Sequence, residues 1–411
     1  MLLVFAPAYF APFFLKARAY GIIKERKTRL WHGAGGCAFG GSMSIRSRLF
    51  LRRDPYSREG GELFLDAMRE TLEKNAAGSK EYAEILGREG FSHEMMKTEN
   101  DLARLPALPT LYFKRNRLFC VPRKKLIVRA SSSGTSGSAS EVGFDLSSLL
   151  VGLGTLRRFF RFHRVTSLIP TNYIVLGYEP AKHNRAGAVK TAYLTTKFAP
   201  ALRREYALKD NGAGYDINTE GIRKALLKYA KSPFPVRFVG FPAYMYFLLK
   251  TLEKEGISLS LPARSAVLLG GGWKEFSGES VDREALLELV EARLGIKRER
   301  CFEFFSAVEH PLAYLKCACG RFHIPAYSRV IIRDTETLEP IPNGEAGLLN
   351  LITPLVSSMP LCSVITDDIA ILSDSPCPCG NPAPYFELLA RAGVNGIRIC
   401  AAEAGERLVD R

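Results

Sequence analysis

Seven consecutive small residues, Ser131-Ser132-Ser133-Gly134-Thr135-Ser136-Gly137, form the stretch of the chain best suited to hold an anion. The sequence predicts a strand over residues 124–130 before this stretch and a helix from Phe144 onward. A short turn of this composition exposes backbone N–H groups and hydroxyls that bind phosphate oxygens. No Gly-Lys-Ser/Thr closes it, so it is not a Walker A loop. Taken alone, it fits a phosphate-binding loop and a Ser/Gly linker between domains about equally well.

Two carboxylate motifs in the second half of the chain have the chemistry to complete a nucleotide site. Phe304-Phe305-Ser306-Ala307-Val308-Glu309-His310 follows a predicted strand, and Glu309 there has the ligand type that Mg²⁺ prefers. Thr366-Asp367-Asp368 interrupts an apolar run, and a carboxylate can accept hydrogen bonds from both ribose hydroxyls. Taken alone, Glu309 is better described as a surface charge than as a metal ligand, and Thr366-Asp367-Asp368 is better described as a plain turn than as a ribose site.

Cysteines and one histidine form the strongest local signal for a metal. Cys317-Ala318-Cys319 precedes His323, and Cys377-Pro378-Cys379 lies about sixty residues further on. Two such sulfur-bearing turns suit tetrahedral Zn²⁺, although five candidate ligands compete for four places. A site closed by four protein ligands is structural and not catalytic.

Cys400 lies near the end of the chain, two residues after Arg398. A basic neighbour and a flexible tail can present a thiolate nucleophile. From the residues alone, a small buried hydrophobe in a last helix is the better description of this cysteine.

Composition narrows the class of protein. The chain has 411 residues, of which 47% are apolar, and a net charge of +15, so it has enough apolar residues for a large core. No nucleic-acid-binding motif is recognisable, so we interpret the positive charge as a surface that attracts anionic substrates and do not expect a nucleic-acid partner. Nine cysteines, an odd number, indicate a reducing cytoplasm. The chain contains no run of about eighteen apolar residues, so we expect no transmembrane segment.

The order of predicted elements indicates an α/β protein. Strands alternate with helices between residues 145 and 330, which is typical of a parallel sheet covered on both faces, and strands dominate afterwards. Predicted helices cover residues 62–75, 81–86, 146–163, 222–231, 243–255 and 283–294. Predicted strands cover residues 113–122, 173–177, 188–196, 236–241, 265–269, 327–333, 347–352, 362–372 and 385–390. Ligands of parallel sheets bind at the carboxyl ends of strands, where we expect both the Ser/Gly stretch and Gly270-Gly271-Gly272.

We divide the chain into four parts on this basis. We expect residues 1–42 to be a disordered extension, or the result of a translation start assigned too far upstream. Residues 43–325 are expected to form the α/β core. Residues 326–393 form a β-rich subdomain with the zinc site, and residues 394–411 form a mobile tail.

The assembled motifs resemble adenylate-forming enzymes, and among them the LuxE-type acyl-protein synthetases, from about Met43 to the end. Ser132, Ser133, Gly134, Thr135, Ser136 and Gly137 match the phosphate loop of that superfamily. Phe305-Ser306-Ala307-Val308-Glu309 matches its aromatic-Gly-x-Thr-Glu motif, Asp368 its ribose-binding Asp, and Arg391 its hinge Arg. The more specific LuxE-type features are Gly270-Gly271-Gly272-Trp273-Lys274, Glu309-His310-Pro311, the stretches 327–334 and 348–354, and Ser358-Met359-Pro360-Leu361.

The resemblance also implies site residues. Related phenylacetate-CoA-ligase-like enzymes bind zinc through a pattern that here selects Cys317, His323, Cys377 and Cys379 and leaves Cys319 spare. Cys400 falls where LuxE-type enzymes carry the acyl-accepting Cys, which reverses the interpretation from the residues alone. The chain departs from the superfamily at Ser140, which occupies the place of a phosphate-loop lysine, and at Ser306 and Val308, which replace Gly and Thr. Lys274 and Arg391 are then the candidate cations for adenylate formation.

The implied fold is the large N-terminal α/β domain of adenylate-forming enzymes plus a small β-rich subdomain, with the mobile C-terminal domain absent or truncated. The implied activity is ATP- and Mg²⁺-dependent conversion of a long-chain fatty acid to acyl-AMP, followed by transfer to Cys400 and then to an acyl-protein reductase partner, in a homo- or hetero-oligomer. The alternatives are an acyl- or aryl-CoA ligase that uses free CoA, and a non-catalytic relative that binds nucleotide.

Overall fold

The computed structural model describes residues 44–58, 61–131, 140–181, 187–271 and 281–391. The α-helices are α1 Ile45–Phe50, α2 Glu62–Gly78, α3 Lys80–Arg88, α4 Thr110–Arg115, α5 Leu146–Phe162, α6 Gly187–Thr195, α7 Thr219–Ala230, α8 Pro242–Lys254 and α9 Arg283–Leu294. The strands are β1 Leu108–Pro109, β2 Leu126–Ser131, β3 Glu141–Asp145, β4 Thr171–Tyr178, β5 Ala201–Asp210, β6 Tyr215–Ile217, β7 Val236–Gly240, β8 Ala266–Gly270, β9 Cys301–Phe305, β10 Tyr314–Leu315, β11 Phe322–His323, β12 Arg329–Arg333, β13 Ala346–Ile352, β14 Ser363–Ser373 and β15 Tyr385–Arg391.

A seven-stranded sheet forms the larger layer, with the strand order β10-β9-β8-β7-β4-β5-β6. The five inner strands are parallel, and β6 and β10 run antiparallel at the two edges. Buried side chains alternate between its faces, because successive residues of a strand point to opposite sides. Ile174 and Phe238 pack under α7, α8 and α9, whereas Tyr173 and Val239 pack with aromatic residues of α5. The α/β class predicted from the alternation of elements is therefore confirmed.

A second sheet has the order β11-β15-β14-β13-β12, and β1 adds to it in parallel with β14. β1 and β11 precede residue 326, so this sheet also includes strands from outside the predicted subdomain. The amphipathic helix α2 covers it, with Phe64, Met68 and Leu72 in the same buried cluster as Leu351.

Three sequence-based expectations are corrected by the structure. Residues 188–196 and 113–122 were expected as strands, but α6 covers the first range and α4 occupies the start of the second. Both are short apolar runs, whose periodicity does not separate helix from strand. The Ser/Gly stretch was expected at the carboxyl end of a parallel strand that leads into a helix. It instead connects β2 to β3, an antiparallel pair in which Ser131 is opposite Glu141.

Strand β5 had no counterpart among the predicted elements. Its burial pattern mixes exposed and buried positions because it lies next to the edge strand β6, so no continuous apolar run marks it. Within the described ranges, no helix has the length and apolar character needed to cross a membrane.

Candidate functional site

Glu309 lies in the loop that follows β9 and is 5% exposed. The hydroxyl of Ser140, itself fully buried, donates a hydrogen bond to Glu309 Oε1. Ser140 is the residue just before β3, at the end of the segment that carries the Ser/Gly stretch. The contact therefore fixes one end of that segment to Glu309, 169 positions away in the chain. Ser132, Ser133, Gly134, Thr135, Ser136 and Gly137 themselves lie outside the described residues.

A buried chain of hydrogen bonds anchors the Glu309 loop through its neighbour His310. The Nε2 atom of His310 is 2.7 Å from the Tyr314 hydroxyl, which is 2.6 Å from the Ser328 hydroxyl. Ser328 donates to the carbonyl oxygen of Ile352 at 3.1 Å. Because that bond uses the serine proton, Tyr314 donates to Ser328 and His310 Nε2–H donates to Tyr314. Burial lowers the pKa of His310 to about 3, so the imidazole is neutral.

This chain of hydrogen bonds joins the two sheets. Tyr314 belongs to β10 in the seven-stranded sheet, and Ile352 belongs to β13 in the second sheet. Phe305, at the end of β9, reinforces the junction by packing edge-on against Phe386 of β15 at 5.7 Å. The Glu309-His310-Pro311 motif alone indicates no role for His310, because Tyr314 and Ser328 are 4 and 18 positions away and share no pattern with it. Ser306 follows Phe305 and is half-buried.

Asp368 and Arg391 lie side by side in the second sheet. They are opposite residues of the antiparallel pair β14 and β15, next to an irregularity in the register. The Asp368 N–H donates to Thr366 Oγ1 at 3.2 Å, and both acidic residues of the motif are half-buried. Asp367 accepts a hydrogen bond from Thr110 of α4 at 3.3 Å. Lys274 and Cys400 lie outside the described residues.

Four predicted metal ligands converge at one point. The ligand atoms of Cys317, His323, Cys377 and Cys379 all lie within 4.8 Å of one another. The sulfurs of Cys317 and Cys377 are 3.9 Å apart, and His323 Nε2 is 3.2 Å from Cys379 Sγ. Two sulfurs at about 2.3 Å from a tetrahedral zinc ion would be about 3.8 Å apart. The fifth candidate, Cys319, is exposed and is not part of this group.

Local backbone structure explains the convergence. In each cysteine turn, the glycine N–H donates to the carbonyl oxygen of the first cysteine at 3.0 Å, from Gly320 to Cys317 and from Gly380 to Cys377. Both glycines have a φ near 80°, a conformation that other residues rarely adopt.

The histidine of this cluster is oriented for metal binding. His323 Nδ1 is 2.8 Å from the carbonyl oxygen of Ala383, an acceptor, so Nδ1 carries the proton and Nε2 faces the sulfurs. Arg321 donates to Cys377 Sγ at 3.7 Å and to Glu387 at 3.0 Å, which adds a positive charge beside the thiol groups.

Comparison with known proteins gives concordant results. The family described as acyl-protein synthetase, LuxE, matches residues 59–409. A long-chain-fatty-acid–luciferin-component ligase of Aliivibrio fischeri is 24% identical over 72% of this chain and 77% of its own length. The corresponding ligase of Vibrio harveyi is 23% identical over 73% of this chain and 77% of its own. A phenylacetate-coenzyme A ligase of Thermus thermophilus is 24% identical over 73% of this chain and 62% of its own.

A solved structure supports the fold. An open conformation of 2-hydroxyisobutyryl-CoA ligase, in complex with 2-HIB-AMP and CoA, matches with a TM-score of 0.59 at 15% identity, over 83% of this chain and 77% of that one. The resemblance stated from the sequence is thus confirmed. The chain belongs to the LuxE acyl-protein synthetase family and is an adenylate-forming ligase.

Proposed function

We propose that this protein activates a long-chain fatty acid with ATP and transfers the acyl group to its own Cys400. The observation that supports this most directly is the buried contact between Ser140 and Glu309, which joins the segment bearing the Ser/Gly stretch to the carboxylate of the aromatic motif. Relatives that are named as fatty acid ligases support the choice of substrate.

The reaction has two steps. A carboxylate oxygen of the fatty acid attacks the α-phosphorus of ATP, and pyrophosphate leaves. The thiolate of Cys400 then attacks the carbonyl carbon of the mixed anhydride, AMP leaves, and a thioester remains. Catalysis of the first step is mainly positioning and stabilisation of charge on phosphate oxygens.

Each site residue has one task in this proposal. Residues 132–137 bind the phosphates through backbone N–H groups and hydroxyls. Asp368 accepts hydrogen bonds from the ribose hydroxyls, and Glu309 provides a ligand for Mg²⁺, which neutralises phosphate charge. Lys274 and Arg391 stabilise the charge that develops during adenylate formation, and Ser306 lies beside the nucleotide.

Ser140 gives Glu309 a distinctive environment. A lysine at this position would neutralise the carboxylate or the phosphates, whereas the serine hydroxyl donates one hydrogen bond and adds no charge. The positive charge for adenylate formation must therefore come from other residues.

The thioester then passes to a cysteine of an acyl-protein reductase, which forms the aldehyde. This transfer requires a reduced thiol at Cys400, so we place the reaction in the cytoplasm. The seven cysteines within the described residues are all free.

We further propose a structural zinc ion bound by Cys317, His323, Cys377 and Cys379. The sulfur–sulfur distance, the protonated Nδ1 of His323 and the matched turns support this ligand set. The ion would join the β10–β11 connection to the segment before β15, and so hold the strand that leads to Arg391.

The test is intact-protein mass spectrometry of the full chain after incubation with Mg-ATP and tetradecanoic acid in the absence of CoA. We expect one hydroxylamine-labile acyl adduct on the wild-type protein and none on Cys400→Ala. Cys301→Ala is the matched control, because burial raises the pKa of that thiol to about 12 and makes it a poor nucleophile.

Other outcomes separate the alternatives. An adduct on Cys400→Ala would move the acceptor to another thiol and contradict this part of the proposal. Pyrophosphate release that requires added CoA, without an adduct, would identify a CoA ligase, the activity named for the Thermus thermophilus relative. No adduct and no pyrophosphate would favour the non-catalytic relative.

A further inference from the structure

Among the described residues, a buried arginine without a counter-charge lies in the seven-stranded sheet. Arg237 is the second residue of β7 and is 2% exposed. Its Nε and Nη1 atoms are buried and have no hydrogen-bond partner within the described ranges. Burial lowers its pKa, and the hydroxyl of Tyr173 is the group that counteracts this effect. Burial of an ionised side chain costs free energy unless an opposite charge lies beside it, so a bound anion would stabilise this guanidinium.

Strand register places further arginines in the same row. Arg204, Tyr173, Arg237 and Ala266 are successive neighbours across β5, β4, β7 and β8. Because Cys301 pairs with Val267, Arg300 is the residue beside Ala266 just before β9. Ala266 is thus a small residue between Arg237 and Arg300. At about 4.8 Å per strand, the α-carbons of these two arginines are about 10 Å apart, a separation that two long side chains can close around one small anion.

Arg300 is held in place by backbone oxygens and not by an acid. It donates to the carbonyl oxygens of Ser265 at 3.3 Å and Arg264 at 2.9 Å. Its guanidinium lies 6.0 Å from the ring centre of Phe302, which is two residues on and on the same side of the strand. Burial, followed by the charges of Arg237 and Arg264, lowers the pKa of Arg300. In the part of the chain that the structure describes, no carboxylate raises the pKa of either Arg237 or Arg300.

We propose that Arg237 and Arg300 bind a small oxyanion of the phosphate class at the amino-terminal edge of the parallel strands. Glu309 follows the carboxyl end of β9, so this site is at the opposite edge of the sheet from the proposed nucleotide site. The five residues of β7 alone span about 13 Å between these edges. The depth of Arg237 favours a free inorganic ion over the phosphate group of a larger metabolite.

The experiment measures thermal unfolding of the full chain at constant ionic strength while inorganic phosphate is increased. For the wild type, the Tm should rise by about 2 °C at ten times the Kd and should keep rising with the logarithm of the phosphate concentration above that. Arg237→Met should have a Tm equal to or above the wild-type value without phosphate, because an uncompensated charge is removed, and should not respond to phosphate. Arg293→Met is the matched control. Arg293 also has a buried Nε without a partner, but it pairs with Glu253 at 3.3 Å, so its removal should leave the phosphate response intact.

A wild-type Tm that does not respond to phosphate, or an equal rise in Arg237→Met, would overturn the proposal. The equal rise would mean that phosphate binds elsewhere, for example in the nucleotide site. If Arg237→Met does not fold, Arg300→Gln decides the matter, because it should weaken the apparent affinity for phosphate at least tenfold without changing ATP–pyrophosphate exchange. A parallel titration with a phosphate monoester identifies the source of the anion. A response to inorganic phosphate alone indicates the free ion, and a response to both indicates the phosphate group of a metabolite.

Discussion

Replacement of Ser140 by alanine tests whether the Glu309 contact serves catalysis. The substitution removes one hydroxyl from a fully buried position and leaves Glu309 Oε1 without that donor. A hydrogen bond to a charged group contributes about 1.5–3 kcal/mol. If the whole of this energy orients Glu309 in the transition state, the rate of adenylate formation should fall by about 10- to 150-fold, since about 1.4 kcal/mol corresponds to a factor of ten.

The assay is ATP–pyrophosphate exchange with tetradecanoic acid, measured over a range of Mg²⁺ concentrations. A displaced Glu309 should raise the Mg²⁺ concentration needed for half-maximal rate, whereas a general loss of stability should not. Ser148→Ala is the matched control, because Ser148 is also fully buried but bonds Ser357 and not Glu309. Equal exchange rates and equal Mg²⁺ dependence in the two variants would refute the role given to Ser140.

Three further predictions concern other parts of the site. Since burial lowers the pKa of His310 from 6.5 in the unfolded chain to about 3, the unfolded state binds the proton first as the pH falls. The free energy of unfolding should therefore decrease below about pH 6.5, and this decrease should be smaller in His310→Gln. Urea denaturation at pH 4.5 and pH 7 measures the decrease. An equal decrease in the wild type and the variant would exclude His310 as a source of this pH dependence. Cys377→Ser should lose zinc in elemental analysis of the purified protein while Cys319→Ser retains one equivalent, and loss of zinc from both would contradict the four-ligand set. Asp368→Asn should raise the KM for ATP about tenfold or more with a smaller change in kcat, because ribose binding is common to the ground state and the transition state, and an unchanged KM would remove Asp368 from the nucleotide site.

The sequence anticipates features that depend on local pattern. Helix α9 begins and ends at the predicted residues because its apolar spacing lies between Asp282, which caps it, and Gly295, which ends it in the left-handed conformation. The convergence of the proposed zinc ligands is equally local in origin, since each cysteine turn carries its own glycine. The parallel strands β7 and β8 are also predicted within about one residue, because both are short, buried apolar runs between helices.

Contacts between distant parts of the chain were not accessible in this way. Ser140 appeared only as the place of a missing lysine, and its bond to Glu309 depends on how the β2–β3 hairpin packs against the loop after β9. The order of donors from His310 to Ile352 likewise requires two sheets to be joined. No local sequence pattern marks Arg237, because it is unusual only in having no acidic residue nearby among the residues that the structure describes.

The two sheets divide the proposed work of adenylate formation between them. In the sequence, Lys274 comes four residues after β8 of the seven-stranded sheet, and Glu309 comes four residues after β9 of the same sheet. The second sheet carries Asp368 and Arg391 as opposite residues of one ladder. Because Ser140 adds no charge, we propose that Lys274, Arg391 or both supply the cation for the phosphates. The junction of the sheets at Phe305 and at the hydrogen bonds of His310 fixes the Glu309 loop relative to the sheet that carries Asp368. In the proposed mechanism, this junction would set the distance between nucleotide and metal.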